Sequence, residues 1–345
     1  MAPTNKAAFY PSDKAPALEI GTSPYPTPGP NEVIIKVAAA AINPVDATIQ
    51  RSGKGTFPFL TYPLVGGLDV AGTIAEVGPN TNPKFHQGDR VLGFACDFTS
   101  RTGGFQEYVA VPASVVSRLP DGISLIEAST IPSGLATAAE ALYSYLGLTH
   151  PTAPARPQNG QTVLIAGGAS VVGSNAIQLA VASGYEVLTT SSPSNFAHCT
   201  SLGASRVFDY GDANLTQNLL TALKGKQVAG GLSCVPAGNG SVFDAVSASE
   251  GSKKVACTIL FTQAGVPGNI TTEMIHAYHI KDTPLADVIF DSWLPAALAS
   301  GQYKRAPRPR VVGEGLESVQ KALDIIAQPN SVSCEKLVVT LGGEA

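Results

Sequence analysis

The stretch that most constrains the fold of this chain is TVLIAGGASVVGSNAIQLAVASG, which runs from Thr162 to Gly184. Its first residues are apolar and β-branched, a composition that predicts a buried strand of a parallel sheet. From Ser174 onward, apolar residues fall at helical spacing on one face. A turn with three glycines joins the two segments, and glycine permits both a tight turn and close approach of the backbone to a ligand. Strand, glycine turn and helix in this order predict an α/β fold.

The same alternation continues after Gly184, where YEVLTT is followed by NFAHCTSLG and then by SRVFDY. This rhythm predicts a parallel α/β sheet. The region before Thr162 is predicted to be β-rich, with strands at residues 32–42 and 103–112, the second half-buried because its apolar and polar residues alternate. Further predicted segments are a proline-rich surface loop next to a domain boundary (150–160), two helices (290–302 and 315–328) and a closing strand (332–341).

Composition limits the possible partners and compartments. The chain has 345 residues, more than one hydrophobic core usually serves, so two domains are expected. With 22 basic and 26 acidic residues, its charge would not attract nucleic acid or an acidic membrane surface. No apolar run approaches the roughly 20 residues of a membrane helix, and the N-terminal residues resemble neither a secretory signal nor a transit peptide, so a cytoplasmic location is expected. The five cysteines are scattered singly, which predicts free thiols.

The glycine turn predicts a dinucleotide site. The N-terminus of a helix presents unpaired backbone N–H groups and a partial positive charge, which suit a pyrophosphate. Gly167, Gly168 and Gly173 would let the backbone come close, although GGASVVG departs from the usual G-x-G-x-x-G. The next strand ends in Ser191 and Ser192, with no carboxylate to repel a 2′-phosphate, and this favours NADPH over NADH. The alternatives are an ordinary turn between strand and helix, and a hydroxyl-rich helix cap.

Several segments, in this order, resemble the medium-chain dehydrogenase/reductase superfamily over nearly the whole chain: AINPVDATIQ, YPLVGGLDVAGTIAEVGPNT, GDRVLGF, GGFQEYVAVP, IPSGLATAAEALY, the glycine turn and LGASRVFDY. The resemblance implies a β-rich GroES-like catalytic domain in residues 1–130 and a Rossmann NADPH-binding domain, a doubly wound parallel sheet, in residues 131–289. It further implies a C-terminal return, residues 290–345, that completes the first domain, with the nicotinamide in a cleft between the two.

Zinc-containing members of this superfamily bind their metal through a Cys near the first strand and a His-Glu pair. The matching positions here hold Asn43, and Leu68 with Asp69, and the lobe with four closely spaced cysteines is missing. Neither Asn nor Leu is a credible zinc ligand, so no metal is expected. His276 and His279 have no Cys or carboxylate partner at ligand spacing. The chain therefore resembles the zinc-free branch, which mostly reduces enones.

Within that branch, residues 189–210 and the C-terminal tail resemble the fungal trans-acting enoyl reductases. Those enzymes partner polyketide synthases and reduce an acyl chain held on a carrier protein. The resemblance places the pyrophosphate on the backbone of Ser170, Val171 and Val172, and the 2′-phosphate and adenine at Ser192, Asn195 and Tyr210. It puts Thr137 beside the nicotinamide. Other predicted cofactor-lining residues are Val45, Asp46, Ala47, Thr48, Cys257, Thr258, Cys334 and Glu335, and predicted substrate-facing residues are Ala138, Ala139, Glu140, Ala141, Tyr145, His276 and His279.

The expected reaction is transfer of hydride from NADPH to the β-carbon of an enoyl thioester, with the resulting enolate stabilised by hydrogen-bond donors. The candidate donors are Thr48, Thr137 and Tyr143. Several relatives carry a Lys where this chain has Thr48, and this mismatch keeps alternatives open. One is an NADPH-binding cyclase or polyketide-shaping protein without net reduction, and another is a stand-alone alkenal or quinone reductase. A third is a cofactor-holding protein that docks on a synthase without catalysis. Whether the chain is a monomer or a homodimer is left open.

Overall fold

The computed structural model describes residues 3–259 and 265–342. The chain forms two compact units. The first unit takes in the chain up to Ser133, the segment Phe290–Pro295 and the chain from Arg308 onward. The second takes in Gly134–Ile289 and Ala296–Pro307. Among the described residues, no helix combines the length and the apolar character needed to cross a membrane.

The strands, in chain order, are β1 (Asn5–Tyr10), β2 (Glu19–Ser23), β3 (Glu32–Ala41), β4 (Leu64–Val65), β5 (Asp69–Val77), β6 (Arg90–Phe94), β7 (Tyr108–Pro112), β8 (Val116–Arg118), β9 (Gln161–Ala166), β10 (Glu186–Ser191), β11 (Arg206–Asp209), β12 (Gln227–Ser233), β13 (Glu250–Gly251), β14 (Lys254–Cys257), β15 (Thr271–Met274), β16 (Arg308–Glu314) and β17 (Glu335–Thr340).

The α-helices are α1 (Pro44–Ser52), α2 (Leu125–Ala128), α3 (Pro132–Ala139), α4 (Val171–Ala182), α5 (Phe196–Ser201), α6 (Leu215–Leu223), α7 (Asn239–Ala248), α8 (Pro284–Ala286), α9 (Leu294–Ala299) and α10 (Ser318–Ile326). Two π-helical segments, Glu140–Tyr145 and Asp287–Trp293, continue from α3 and lead into α9. Short 3₁₀ turns cover Gly53–Gly55, Ala113–Val115, Pro193–Asn195 and Ala277–Asp282.

The first unit is built on a sheet whose strand order is β16-β17-β3-β5-β6-β8, with β7 also paired to β3. A second sheet in this unit has the order β2-β1-β4. The long strand β3 is buried over most of its length because β5 and β7 pair with it and the C-terminal strand β17 joins its end. The predicted strand at residues 32–42 is therefore confirmed, one residue shorter than expected.

The predicted strand at residues 103–112 is wrong in its first half, since β7 begins only at Tyr108. Gly103 lies so close to a neighbouring segment that a Cβ there would come within 2.0 Å of the Val65 carbonyl oxygen. The Gln106 side chain is buried and donates a 2.6 Å hydrogen bond to the Gly103 carbonyl. These residues form a buried loop. The alternation of apolar and polar residues predicted a strand with one exposed face. Instead, Val109, Ala110 and Val111 are all fully buried.

The second unit contains the predicted parallel sheet, with the strand order β11-β10-β9-β12-β14-β15. The pairs β9–β10, β10–β11, β9–β12 and β12–β14 are all parallel. Val163, Leu164, Ile165 and Ala166 are fully buried, as expected of a central strand with helices on both faces. The α/β fold predicted from the glycine turn and its neighbours is confirmed.

Some element boundaries differ from the prediction. Helix α4 begins at Val171, three residues before the expected start, because Ser170 caps it. The predicted helix at 290–302 is divided between a π-helical segment and α9. The last strand begins at Glu335 and not at residue 332, since Cys334 has a φ of +54° that interrupts the extended backbone. Residues 150–160 contain neither helix nor strand.

Candidate functional site

Main-chain contacts hold the glycine turn between β9 and α4 against strand β10 on one side and against helix α4 on the other. The Gly167 and Gly168 N–H groups both donate to the Thr190 carbonyl oxygen, at 3.1 and 2.9 Å. Gly167 has a φ of +82°, and a Cβ on Gly173 would come within 2.1 Å of the Gly167 carbonyl oxygen. Glycine is therefore required at both positions, one for the turn and one for the close contact between helix and turn.

The N-terminus of α4 lies at the partly exposed edge of this turn. The Ser170 Oγ accepts a 3.0 Å hydrogen bond from the Gly173 N–H and donates at 2.8 Å to the Gly167 carbonyl oxygen. Val171 and Val172 are the first two helical residues, so their N–H groups have no acceptor within the helix. Both residues are half-buried, whereas the glycines behind them are buried. The turn thus presents main-chain donors at its surface, an arrangement suited to phosphate oxygens.

A hydroxyl-rich loop follows β10, the neighbouring strand of the sheet. The Asn195 Nδ2 donates to the Ser192 Oγ at 3.0 Å, and the Ser191 Oγ donates to the Ser192 carbonyl oxygen at 2.9 Å. Ser192 and Asn195 are half-buried, and Tyr210, after the next strand, is 39% exposed. Residues 187–200 contain no Asp or Glu. The structure therefore brings Ser191, Ser192 and Asn195 together without a carboxylate in the loop.

Cys257 and Thr258 lie where β14 ends, at the same carboxyl edge of the sheet as the glycine turn. Cys257 is fully buried, and burial raises the pKa of its thiol to about 11. The Thr258 Oγ1 donates to the Ser233 carbonyl oxygen at 3.3 Å. All five cysteines fall within the described part of the chain and are free thiols, as predicted.

The predicted substrate-facing residues occupy α3, the π-helical turn after it and the segment 276–280. Ala138, Ala139 and Ala141 are fully buried. Glu140 is also buried, burial raises its pKa, and its Oε1 has no hydrogen-bond partner among the described residues. A π-helical turn is often found at functional sites. Further along the chain, Tyr145 is half-buried and donates to the Thr271 carbonyl oxygen at 2.9 Å, and His276 and His279 are exposed, with ring centroids 5.9 Å apart.

Tyr143 lies deeper than a substrate-binding residue would. Its hydroxyl contacts the Ser183 Oγ at 2.9 Å and donates to the Leu179 carbonyl oxygen at 3.2 Å. The side chain is 6% exposed, and burial raises its pKa well above the ordinary value. Its hydroxyl is therefore occupied inside the second unit, and the prediction that it donates to substrate has no support from its position.

Helix α1 carries the predicted residues Val45, Asp46, Ala47 and Thr48. Val45 and Thr48 are half-buried, and Asp46 and Ala47 are buried. The Thr48 Oγ1 donates to the Pro44 carbonyl oxygen at 2.9 Å, which commits its only hydrogen to the helix backbone. Near the C-terminus of the chain, Glu335 pairs with Arg308 at 2.8 Å, and Cys334 is half-buried.

A buried polar network lies at the positions that match the zinc ligands of related enzymes. We call it the Asp69 network; it consists of Asn43, Asp69, Ser133 and Lys336. The Lys336 Nζ is 2.9 Å from the Asp69 Oδ2, and these side chains are 3% and 0% exposed. The Asn43 Nδ2 and the Ser133 Oγ donate to the same carboxylate oxygen at 3.0 and 2.7 Å. The Ser133 N–H donates to the Asp69 Oδ1 at 2.6 Å, near the start of α3.

This donor set does not fit a zinc ion. Asp69 already accepts from an ammonium, an amide, a hydroxyl and a main-chain N–H, and Lys336 also donates to the Asn43 Oδ1. A metal cation would have to displace the buried ammonium and would find neither thiolate nor imidazole in the network. In residues 3–259 and 265–342, no cluster of three or more His, Cys, Asp or Glu side chains has an arrangement suited to a metal ion.

Sequence reasoning missed Ser133 and Lys336. Lys336 lies in the segment EKLVV, where one cation stands at a buried position of an otherwise apolar strand. A lone charged residue inside such a strand signals a buried partner, because an unpaired buried charge is costly. The partner itself lies far away in the sequence.

Comparison with known proteins agrees with this architecture. The family described as "Alcohol dehydrogenase GroES-like domain" matches residues 29–121. Dehydrogenase pigH of Monascus ruber is 40% identical over 371 aligned positions, which cover 98% of this chain and 100% of that protein. This chain belongs to the medium-chain dehydrogenase/reductase superfamily. Trans-enoyl reductase himH of Aspergillus japonicus is 34% identical, with 98% of this chain and 97% of that protein covered.

Among solved structures, the crystal structure of an alcohol dehydrogenase superfamily protein from Novosphingobium aromaticivorans matches with a TM-score of 0.78. The sequences are 25% identical, and the match covers 98% of this chain and 100% of that chain. The predicted superfamily and its α/β fold, with GroES-like and Rossmann parts, are therefore confirmed. As a superfamily member, the protein is an oxidoreductase.

Replacing Lys336 tests the Asp69 network. Lys336→Met should lower the free energy of unfolding by about 3–5 kcal/mol, because it leaves the Asp69 carboxylate buried without its counter-charge. The double variant Lys336→Met/Asp69→Asn removes both charges and should recover most of that loss. Denaturant unfolding measures the effect, with exposed Lys224→Met as the control. Equal stability of Lys336→Met and the control would contradict a buried ion pair.

The raised pKa of the buried Asp46 carboxyl predicts that the stability of the protein depends on pH. Burial raises its pKa to about 7, although the Asn43 N–H and Lys336 oppose the shift. An unfolded Asp titrates near 4, so the folded state holds the proton more tightly, and stability falls as pH rises from about 4 through 7 and levels off above that. From about pH 6 to pH 8 the loss should be about 1 kcal/mol. Asp46→Asn should flatten this pH profile in thermal unfolding, whereas Asp121→Asn, at an exposed position, should not.

Proposed function

We propose that this protein is an NADPH-dependent, zinc-independent enoyl reductase that acts in trans on a polyketide enoyl thioester carried by a synthase. Its place in fungal secondary metabolism is inferred from its relatives, one of which bears the name trans-enoyl reductase. The observation that carries the cofactor assignment is the glycine turn with its neighbouring hydroxyl loop. We further propose the expected division into a catalytic domain and a Rossmann NADPH-binding domain.

The glycine turn and the start of α4 fit a dinucleotide pyrophosphate. The predicted Ser170 N–H already donates to the Gly167 carbonyl oxygen at 3.0 Å, and the Ser170 Oγ caps the helix, so the available donors are the main-chain N–H groups of Val171 and Val172. The absence of side chains on Gly167, Gly168 and Gly173 keeps the backbone of the turn close to the helix. When bound, NADPH supplies hydride. The residues of the turn bind and orient it through backbone donors and the partial positive charge of the helix.

The loop after β10 supports NADPH over NADH. Ser192 and Asn195 offer hydroxyl and amide groups at partly exposed positions, where other members of the fold class place an Asp or Glu against the ribose. Without a carboxylate, a 2′-phosphate meets no like charge in this loop. Tyr210, after the next strand, has an exposed ring that is available to an adenine.

The Asp69 network supports zinc independence. Its charges are balanced internally, and Asp69 caps α3, the helix that carries the half-buried Thr137. Reduction of an activated C=C needs no Lewis acid, because the thioester carbonyl already withdraws electrons from the double bond. The enolate that forms after hydride reaches the β-carbon needs a hydrogen-bond donor. Thr48 and Thr137 remain the proposed donors; Thr48 would have to give up its hydrogen bond to the Pro44 carbonyl oxygen to serve as one, and water supplies the proton at the α-carbon.

An assay of NADPH consumption tests the function. With an α,β-unsaturated acyl chain on a carrier domain, absorbance at the nicotinamide band should fall and the saturated thioester should appear by mass spectrometry. Prior dialysis against EDTA should leave the rate unchanged. The free enone and a quinone serve as comparison substrates.

Three outcomes would contradict the proposal. Faster turnover of the free enone or the quinone would favour a stand-alone reductase. Conversion of the polyketide without loss of NADPH would favour a cyclase. A carrier-domain complex without any turnover would favour a docking role.

The cofactor preference has its own test. Ser192→Asp places a carboxylate beside the proposed 2′-phosphate and should raise the Kd for NADPH by about tenfold or more, while that for NADH changes little. Thr200→Asp introduces the same charge at an exposed position of α5 and is the matched control. Titration calorimetry measures both. Equal weakening of NADH and NADPH would show that Ser192 does not contact the phosphate.

A further inference from the structure

We infer that His198 is a positioning residue that holds the hydroxyl loop in register with the glycine turn, and so sets the affinity for the adenosine half of NADPH. The inference rests on the proposed NADPH site. His198 lies on α5, the helix that follows the hydroxyl loop, and it reaches the turn through Ser174 of α4.

The contact is a two-step hydrogen-bonded bridge. The His198 Nε2 is 3.0 Å from the Ser174 Oγ, and the Ser174 Oγ is 3.1 Å from the Gly168 carbonyl oxygen. Ser174 is fully buried and His198 is half-buried. The bridge therefore connects an imidazole on α5 to the second glycine of the turn that is proposed to bind the pyrophosphate.

The donor and acceptor of each hydrogen bond in the bridge follow from the number of hydrogens that the two side chains carry. A carbonyl oxygen only accepts, so Ser174 gives its single hydroxyl hydrogen to Gly168. The His198 Nε2 must then carry a hydrogen and donate it to the Ser174 Oγ. Burial lowers the pKa of His198, which favours the neutral ring. The bridge thus selects the tautomer with the hydrogen on Nε2.

The hydroxyl loop is partly exposed. Ser192 and Asn195 are half-buried, and Pro193 and Ser194 are exposed. Asn195 is the N-cap residue of α5, and His198 lies in the first turn of that helix, so the loop leads directly into the helix that carries His198. From the other side, the Gly168 N–H donates to the Thr190 carbonyl oxygen at 2.9 Å. Gly168 is therefore joined both to the end of β10 and, through His198, to the helix beyond the loop.

Two substitutions at position 198 test this assignment. His198→Leu keeps an apolar side chain on α5 but removes the donor, and should raise the Kd for NADPH about fivefold, the effect of one buried hydrogen bond. His198→Gln retains an N–H donor at a similar reach and should restore most of the affinity. In steady-state assays, KM for NADPH should rise for His198→Leu, while kcat at saturating NADPH stays unchanged.

A double-mutant cycle shows whether the bridge acts as one unit. Ser174→Ala should weaken NADPH binding on its own, and adding His198→Leu should weaken it no further. Additive losses, or a wild-type Kd for His198→Leu, would overturn the inference while leaving the NADPH site intact. If wild-type protein itself binds no NADPH in calorimetry, the proposed function fails and the role of His198 fails with it. Ser174→Ala and His198→Gln supply the comparison should His198→Leu not fold.

Discussion

The buried pair of Lys336 and Asp69 is the interaction on which the first unit depends most directly. Lys336 belongs to the C-terminal strand β17, and it also binds Asn43, which lies 293 positions earlier in the chain. A charge buried this deeply is stable only when its partners are in place. The first unit therefore cannot form from the N-terminal segment alone with its charges satisfied. The C-terminal return is needed both for the edge of the sheet and for the cation inside it.

Local patterns predicted the fold where neighbouring residues in the sequence determine the structure. The glycine turn, the strands on either side of it and the long strand β3 all follow from periodicity within short windows. The prediction failed where contacts between residues far apart in the sequence determine the local structure. Residues 103–107 alternate like a strand, yet Gly103 packs against the Val65 carbonyl and forms a loop. Helix α4 begins early because the Ser170 side chain caps it, a contact that helical spacing alone does not reveal.

The candidate site likewise has parts that the local sequence predicts and parts that depend on contacts between distant residues. The turn residues and the hydroxyl loop are each contiguous in the sequence, so their residue types could be predicted and their geometry is now known. The Asp69 network draws on four separate segments, and only Asn43 and Asp69 could be identified, through their match to metal ligands in relatives. Ser133 and Lys336 enter through tertiary packing. His198 was likewise not identified, because its partner Ser174 lies on a different helix and no spacing rule links them.

The two polar sites differ in how completely their groups are satisfied, and this difference separates structural from ligand-binding chemistry. In the Asp69 network, carboxylate, ammonium, amide and hydroxyl are buried and paired with one another, so a ligand would have to break existing bonds. At the start of α4, the N–H groups of Val171 and Val172 point from half-buried positions and have no acceptor within the helix. A ligand there completes bonds without breaking any. For this reason an anion fits the glycine turn, whereas a metal cation does not fit the place where related enzymes hold zinc.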